Sequence, residues 1–439
     1  MSDIEIAGLM LVLTFSGLLL GIHIGVSLLT CSFLGLLLIT GDIDSTVTLL
    51  GTGPFYILFE YELAVIPLFV LMGDFVIMAG ASEDLYNAFH VWLRKVRGGL
   101  AIATVLANAV FAAVTGVSIA SAAVFSKVAL PQMLRFGYDK KLTLGTVAGS
   151  SVLGMLIPPS VLFIIYGIFS EESIGKLFMA GVIPGLILTL IYSAGISLIV
   201  RVRPQMAGKL KKNEVVGRWV NIRALKDTWG IIGLILLVLG GMYGGLLTPT
   251  EAGAAGAMGA VLLAIIKGRF TGKEMKRSLH ETGLVTASFF LLFIGAQLFS
   301  RMLATSGFAR VLTELLVSLP VPPIVVILLM ILVWIILGCL IDSISIMILT
   351  LPLMLPVVRA LGYDLIWFGV IATITIEMGL LTPPFGMVCF VMKSTIGEGV
   401  TVEEIFKGAL PFLLMMGLCL ALIVAFPVLS TWLPSQMLK

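Results

Sequence analysis

Two groups of small hydroxyl side chains, each running into a glycine and a double proline, are the residues of this chain whose types and spacing suit chemistry. The first comprises Ser118, Ser150 and Ser151 with Gly116, Gly154, Pro158, Pro159 and Ser160; the second comprises Ser343, Thr375 and Thr382 with Gly379, Pro383 and Pro384. Proline cannot donate an amide hydrogen and clashes with the preceding turn, so a helix carrying Gly-x-x-x-Pro-Pro must break and leave carbonyl oxygens without donors. Hydroxyl and carbonyl oxygens are hard ligands, and no histidine or cysteine is interspersed in either group. That chemistry suits a small alkali cation rather than a transition metal. A half-helix restarting after the break presents amide hydrogens and the positive end of its dipole, which suit an anion. Two carboxylates, Asp342 and Glu377, lie in the same apolar surroundings, where a charge is costly unless paired or solvated. Asp342 is placed to bind a cation or to hold its loop, and Glu377 is a candidate coupling residue.

The two groups are copies of one another. At a single ungapped offset of 225 positions Ser118 meets Ser343, Pro131 meets Pro356, and Gly137-Tyr138-Asp139 meets Gly362-Tyr363-Asp364. Ser150 then meets Thr375, Gly154 meets Gly379, and Pro158-Pro159 meets Pro383-Pro384. Apolar matches arise readily in a chain rich in Leu and Ile, but co-registered Gly, Pro, Tyr and Asp do not, so the pattern reads as an internal duplication. Glu377 falls opposite Val152 and has no twin, which sets it outside any role shared by both halves.

The elements that position these residues follow from composition and charge. With 59% hydrophobic and 12% charged residues over 439 positions, the chain carries more apolar surface than a water-soluble domain can hide. It reads as an all-α polytopic membrane protein. Asp3 and Glu5, with no Lys or Arg, precede the first apolar run, the wrong flank for a cleaved signal peptide, so that run is expected to be retained. Spans are expected near 7–22, 24–40, 63–80, 142–168 and 177–200, then near 229–247, 250–266, 283–303, 365–392 and 409–428, about ten in all. Those at 142–168 and 365–392 are broken, and the proline-led second piece of each suits a helix start. Residues 100–133, interrupted at Thr115-Gly116-Val117-Ser118, have arms too short to cross comfortably and read as a re-entrant hairpin; a second occupies 324–358 with its tip around Gly338 to Ser345. Counting crossings places the basic clusters at 94–97, 201–228 and 267–277 on one face, the cytoplasmic one. Residues 1–200 and 229–439 are therefore expected to be inverted repeats joined by the basic linker 201–228, with two tips and two breaks converging near the midplane.

Other classes find little support. His23, His90 and His280 are scattered, His280-Glu281 lacks the second histidine of HExxH, and no P-loop is present, so neither an enzyme nor an ATP-driven pump is expected. No nucleic-acid partner is expected either. Cys31, Cys339, Cys389 and Cys419 sit singly in apolar segments and read as small buried hydrophobes.

Taken in order, Thr115-Gly116-Val117-Ser118, Pro131, Gly137-Tyr138-Asp139, Gly154 through Ser160, Thr248-Pro249-Thr250-Glu251, Asp342, Leu351-Pro352, Gly362 and Gly379 through Pro384 resemble the large membrane subunit of tripartite ATP-independent periplasmic (TRAP) transporters, of the ion-transporter superfamily. The resemblance covers essentially the whole chain. It implies an elevator-type secondary transporter, in which hairpins and broken spans move against a scaffold of the remaining helices. It further implies sodium symport of a small organic acid anion, such as a dicarboxylate or sialic acid, across the bacterial inner membrane. A soluble periplasmic substrate-binding protein and a four-helix small membrane subunit are the implied partners, the latter expected as a separate polypeptide. Two or more sodium sites are implied at the tips and breaks. Their matching positions are Gly116, Ser118, Ser150, Ser151 and Gly154 in one half and Asp342, Ser343, Thr375, Gly379 and Thr382 in the other. Substrate is expected beside Pro158, Pro159, Ser160, Pro383 and Pro384. An autonomous sodium–carboxylate symporter of the same superfamily, working without a receptor, is the alternative.

Overall fold

The computed structural model of the protein describes residues 1–48, 51, 61–93, 95–208 and 228–437. Most of the expected basic linker, residues 209–227, and Arg94 of the first basic cluster lie outside the described residues. Every assigned element among those described is helical. Seven helices among them are long and apolar enough to cross a membrane, and six shorter apolar helices accompany them.

The first half opens with α1 (Asp3–Leu19), α2 (Ile24–Thr40) and α3 (Val65–Met78). A helix absent from the sequence reading follows, α4 (Ala81–Leu93), whose buried side is Ala81, Ser82, Leu85, Tyr86 and Ala88. Next come α5 (Gly99–Thr115) and α6 (Ser118–Arg135), a helical pair turned at Gly116-Val117. Gly116 makes that turn at φ 67°, in the left-handed region, with its amide bonded to the Ala112 carbonyl at 3.1 Å. The broken span comprises α7 (Lys140–Ser151), the single turn α8 (Leu153–Leu156) and α9 (Val161–Ser170), and α10 (Ile174–Val202) closes the half.

The second half contains α11 (Trp229–Tyr243), α12 (Pro249–Ile266), α13 (Gly272–Thr305) and α14 (Phe308–Val317). A second pair, α15 (Pro323–Gly338) and α16 (Ser343–Ala360), precedes a second interrupted helix, α17 (Leu365–Gly379) and α18 (Met387–Ile396). The chain ends with α19 (Val402–Ala425) and α20 (Val428–Ser435). The 18-residue α16 is both long and apolar enough to span, unlike the arms of the first pair: α5 has 17 residues, and α6, equally long at 18, carries far more small and polar side chains.

The prolines do not open the half-helices. Ser160 caps α9, its hydroxyl accepting from the Phe163 amide at 3.4 Å, and α18 starts only at Met387. A serine at the cap satisfies an orphan amide that proline has no side-chain acceptor to meet, so the helix begins after it and the prolines stay in the unwound segment.

Several repeated motifs are helix-end chemistry. In both Gly-Tyr-Asp copies the tyrosine amide reaches back to the carbonyl of Met133 or Val358, the glycine sits at positive φ, and the aspartate caps the next helix. Thr248 and Glu251 form a capping box for α12, with proline in the first turn.

One group of helices packs α3 between α12 and α13, with α2 along α13 and α1 on α2; a second packs α7 against α5, α6 and α19. Helices α7 and α19 cross at Gly145 and Gly408, where a Cβ on Gly145 would fall 1.9 Å from the facing carbonyl oxygen. The halves also hold each other's outer ends. Arg359, near the end of α16, donates to the Ser170 carbonyl at 2.6 Å, and the Tyr166 hydroxyl donates to the Leu365 carbonyl at 2.6 Å. At the other end Lys140 donates to the Gly399 carbonyl and to both Glu404 carboxylate oxygens, each at 2.8 Å.

Candidate functional site

In each half a hairpin is seated against the break in the helix that follows it, and glycine permits the approach. A Cβ on Gly154 would lie 2.9 Å from the Val117 carbonyl carbon and 3.0 Å from both N and Cα of Ser118. A Cβ on Gly116 would lie 2.5 Å from the Pro159 carbonyl oxygen, and the Val161 amide donates to the Gly116 carbonyl at 3.4 Å. In the second half Gly379 and Gly338 face each other: a Cβ on Gly379 would lie 2.4 Å from Gly338 Cα. The first contact is made by the turn itself, the second by the last residue of the first arm.

Around these contacts Ser118, Ser150, Ser151 and Thr375 are fully buried and Ser343 nearly so. The Ser118 hydroxyl lies 3.5 Å from the Val152 carbonyl, and Ser151 donates to the Ala148 carbonyl at 2.7 Å. Ser150 accepts from the Asn108 amide at 2.7 Å. The Thr375 hydroxyl and the Asn108 amide oxygen are buried with no hydrogen-bond partner. Asn108 escaped the sequence reading; its signal was a primary amide among the alanines of α5.

Glu377 joins the halves. It is fully buried on α17, and the hydroxyls that act on its carboxylate are Ser118 from one hairpin and Ser343 from the other. Neither forms a hydrogen bond of good geometry with it, so both carboxylate oxygens are unpartnered. Tyr192 on α10 lies within electrostatic reach, its buried hydroxyl equally without a partner. Asp342, by contrast, is committed to its loop: it caps α16, accepting from the Ser345 amide at 3.0 Å and from the Ser345 hydroxyl. Thr382 donates to the Met378 carbonyl at 2.8 Å.

The two breaks differ in surroundings. Pro158, Pro159 and Ser160 are buried, whereas Pro383, Pro384 and Phe385 are exposed. The donor set at the centre is hydroxyls, carbonyls, an amide oxygen and one carboxylate, and among the described residues no group of three or more His, Cys, Asp or Glu gathers. Such a set matches a weakly charged, hard cation better than a divalent or transition metal. All four cysteines are free, three of them buried and Cys339 half-buried.

Residues 11–429 match the family model described as the tripartite ATP-independent periplasmic transporter, DctM component. The chain belongs to this family. Among curated relatives of this TRAP permease chain, the C4-dicarboxylate TRAP transporter large permease protein of Pseudomonas aeruginosa is 33% identical over 381 residues, 86% of this chain and 87% of the relative. The sialic acid TRAP transporter large permease protein of Vibrio cholerae is 30% identical, again over 86% of this chain and 87% of the relative. In fold, the TRAP permease chain resembles the solved structure of Neisseria gonorrhoeae MtrF, described as one of a class of antimetabolite efflux pumps, with a TM-score of 0.60 at 12% identity over 89% of this chain and 85% of that one. The TRAP permease chain is thus a multi-pass, all-α transporter component and not an enzyme.

Proposed function

We propose that this chain is the large subunit of a sodium-coupled importer of a small organic acid anion in the bacterial inner membrane, working by an elevator mechanism. The observation that carries this reading is the seating of each hairpin on the interrupted helix that follows it, on either side of Glu377, with buried oxygens left unpartnered where the halves meet. Ser118, Ser150 and Ser151 with the backbone at Gly116 and Gly154 replace water around one co-transported sodium ion; Ser343, Thr375 and Thr382 with the backbone at Gly379 do so around another. Asp342 holds the second turn in place for this. The substrate carboxylate is received by the amide ends of α9 and α18, beside Pro158, Pro159, Ser160, Pro383 and Pro384. Relatives named for C4-dicarboxylates and for sialic acid, both carboxylates, support that class.

The helices divide functionally. The hairpins and interrupted helices move, and α1, α2, α3, α12 and α13 provide the scaffold. The cross-holding contacts of Arg359, Tyr166 and Lys140 support a moving unit built from both halves. A covered first break beside an uncovered second one is in keeping with a unit at one end of its travel. Coupling requires that empty and fully loaded units move while sodium-only units do not. The tripartite family supports a separate four-helix small subunit and a periplasmic substrate-binding protein as partners. The test is uptake of candidate organic acids into proteoliposomes containing this chain and the small subunit, under an imposed sodium gradient, with and without the receptor. Accumulation that needs both sodium and receptor is the expected result; accumulation without receptor would instead make the chain an autonomous symporter, and none under any gradient would end the coupled mechanism.

A further inference from the structure

Between α10, α19 and the start of α7 lies a cavity of about 380 Å3 that the transport reading does not use. Its rim carries three cations from three separate elements, Lys141, Arg203 and Lys407, and its floor includes Leu198, Val202 and Pro411. Leu198 and Val202 are 62% and 71% exposed on a helix long and apolar enough to span, so the floor opens sideways toward the bilayer. Lys407 is paired with Glu403 at 2.7 Å, and the neighbouring Lys140 is taken by Glu404. Among the described residues Lys141 and Arg203 form no ion pair, and both are exposed. The rim is built rather than accidental in position: the Asp139 amide donates to the Met206 carbonyl at 3.1 Å, which ties the start of α7 to the end of α10.

A cationic rim above an apolar floor that opens to lipid matches one ligand chemistry. A phosphate group takes the guanidinium and ammonium donors, and an acyl chain lies along Leu198, Val202 and Pro411. A free phosphate would meet the rim alone and leave the floor unused. We propose that this cavity binds one anionic phospholipid from the leaflet on the basic face of the protein, bridging α7, α10 and α19 beside the glycine crossing of α7 and α19.

The test is native mass spectrometry of the purified full chain in detergent with added phosphatidylglycerol, phosphatidylcholine of the same acyl length, or inorganic phosphate. Phosphatidylglycerol is expected to be retained in preference to phosphatidylcholine and not displaced by inorganic phosphate. Lys141→Gln with Arg203→Gln should weaken phosphatidylglycerol retention about 30-fold, roughly fivefold for each cation removed. Each is also made singly, since both side chains are at the surface and a folded variant is then in hand. Leu198→Trp fills the floor without touching the charge and should weaken retention as well. Equal retention of the two lipids, or unchanged retention in the charge variants, overturns the site. Displacement by inorganic phosphate, or indifference to Leu198→Trp, overturns the lipid assignment in favour of a bare anion site.

Discussion

Replacing Gly379 by alanine tests the seating of hairpin on break more directly than any hydroxyl variant. The new Cβ would stand 2.4 Å from Gly338 Cα, 2.9 Å from its carbonyl carbon and 3.2 Å from its nitrogen. Non-bonded carbons pack at about 3.5–4.0 Å, so the segments must part by roughly 1 Å. Every facing atom is backbone, and no rotamer change relieves the overlap. The same holds at Gly154, where the facing atoms are backbone of Val117 and Ser118 at 2.9 and 3.0 Å. Overpacking costs about 1–3 kcal/mol, and with only unyielding backbone facing the new Cβ about 2–3 kcal/mol applies here, of which the better helix propensity of alanine returns at most about 1 kcal/mol. A net cost of about 1–2 kcal/mol falling on the loaded state raises the sodium half-saturation of uptake roughly 5- to 30-fold. Gly233, exposed on α11 with nothing within 4 Å of a Cβ, is the control, and Gly233→Ala should behave as wild type. Sodium-dependent uptake is measured in proteoliposomes, and thermal melting of the same preparations establishes that each variant is folded. If Gly379→Ala and Gly154→Ala both melt normally and keep a half-saturation within about twofold of wild type, well short of the rise expected, the close approach is not what positions the oxygens.

Other substitutions probe the same assembly. Glu377→Gln keeps the shape and removes the capacity to hold a charge where both carboxylate oxygens lack hydrogen-bond partners, so it should shrink the rise in melting temperature that sodium produces; an undiminished rise would refute this. Ser118→Ala and Thr375→Ala should each weaken the sodium dependence of uptake, and unchanged dependence in both would remove these hydroxyls from the sites. Tyr166→Phe deletes the bond to the Leu365 carbonyl and should cost about 1 kcal/mol of stability, read as a lower melting temperature; no change would mean that this outer anchor carries no load.

What the sequence made legible was whatever the backbone itself enforces. Proline and glycine at Gly154-x-x-x-Pro158-Pro159 and at the equivalent second position interrupt helices wherever they fall, and the structure unwinds between Leu156 and Val161 and between Gly379 and Met387. The Gly-Tyr-Asp copies were conspicuous for a humbler reason than a shared site, since they end one helix and begin the next. The Arg359–Ser170 and Lys140–Glu404 contacts join residues 189 and 264 positions apart, and no local pattern announces such pairs. Asn108 and Tyr192 lie on largely apolar helices, where scattered polar groups have no period to betray which side they face. Helix α4 carries Glu83, Asp84 and His90 within 13 residues, too polar and too short to register as a span. Unequal exposure of two breaks that share the same Gly-x-x-x-Pro-Pro is a property of conformation, which identical motifs cannot encode.

That inequality has a practical use. The covered first break and the uncovered second are two settings of one duplicated part within a single molecule. Threading each half of the sequence through the backbone of the other should expose Pro158 and Pro159 and cover Pro383 and Pro384, which under the proposed mechanism is a blueprint for the opposite end of the stroke. Cysteine pairs chosen to meet only in that exchanged arrangement would trap it by disulfide, once Cys339, the half-buried native thiol, has been replaced.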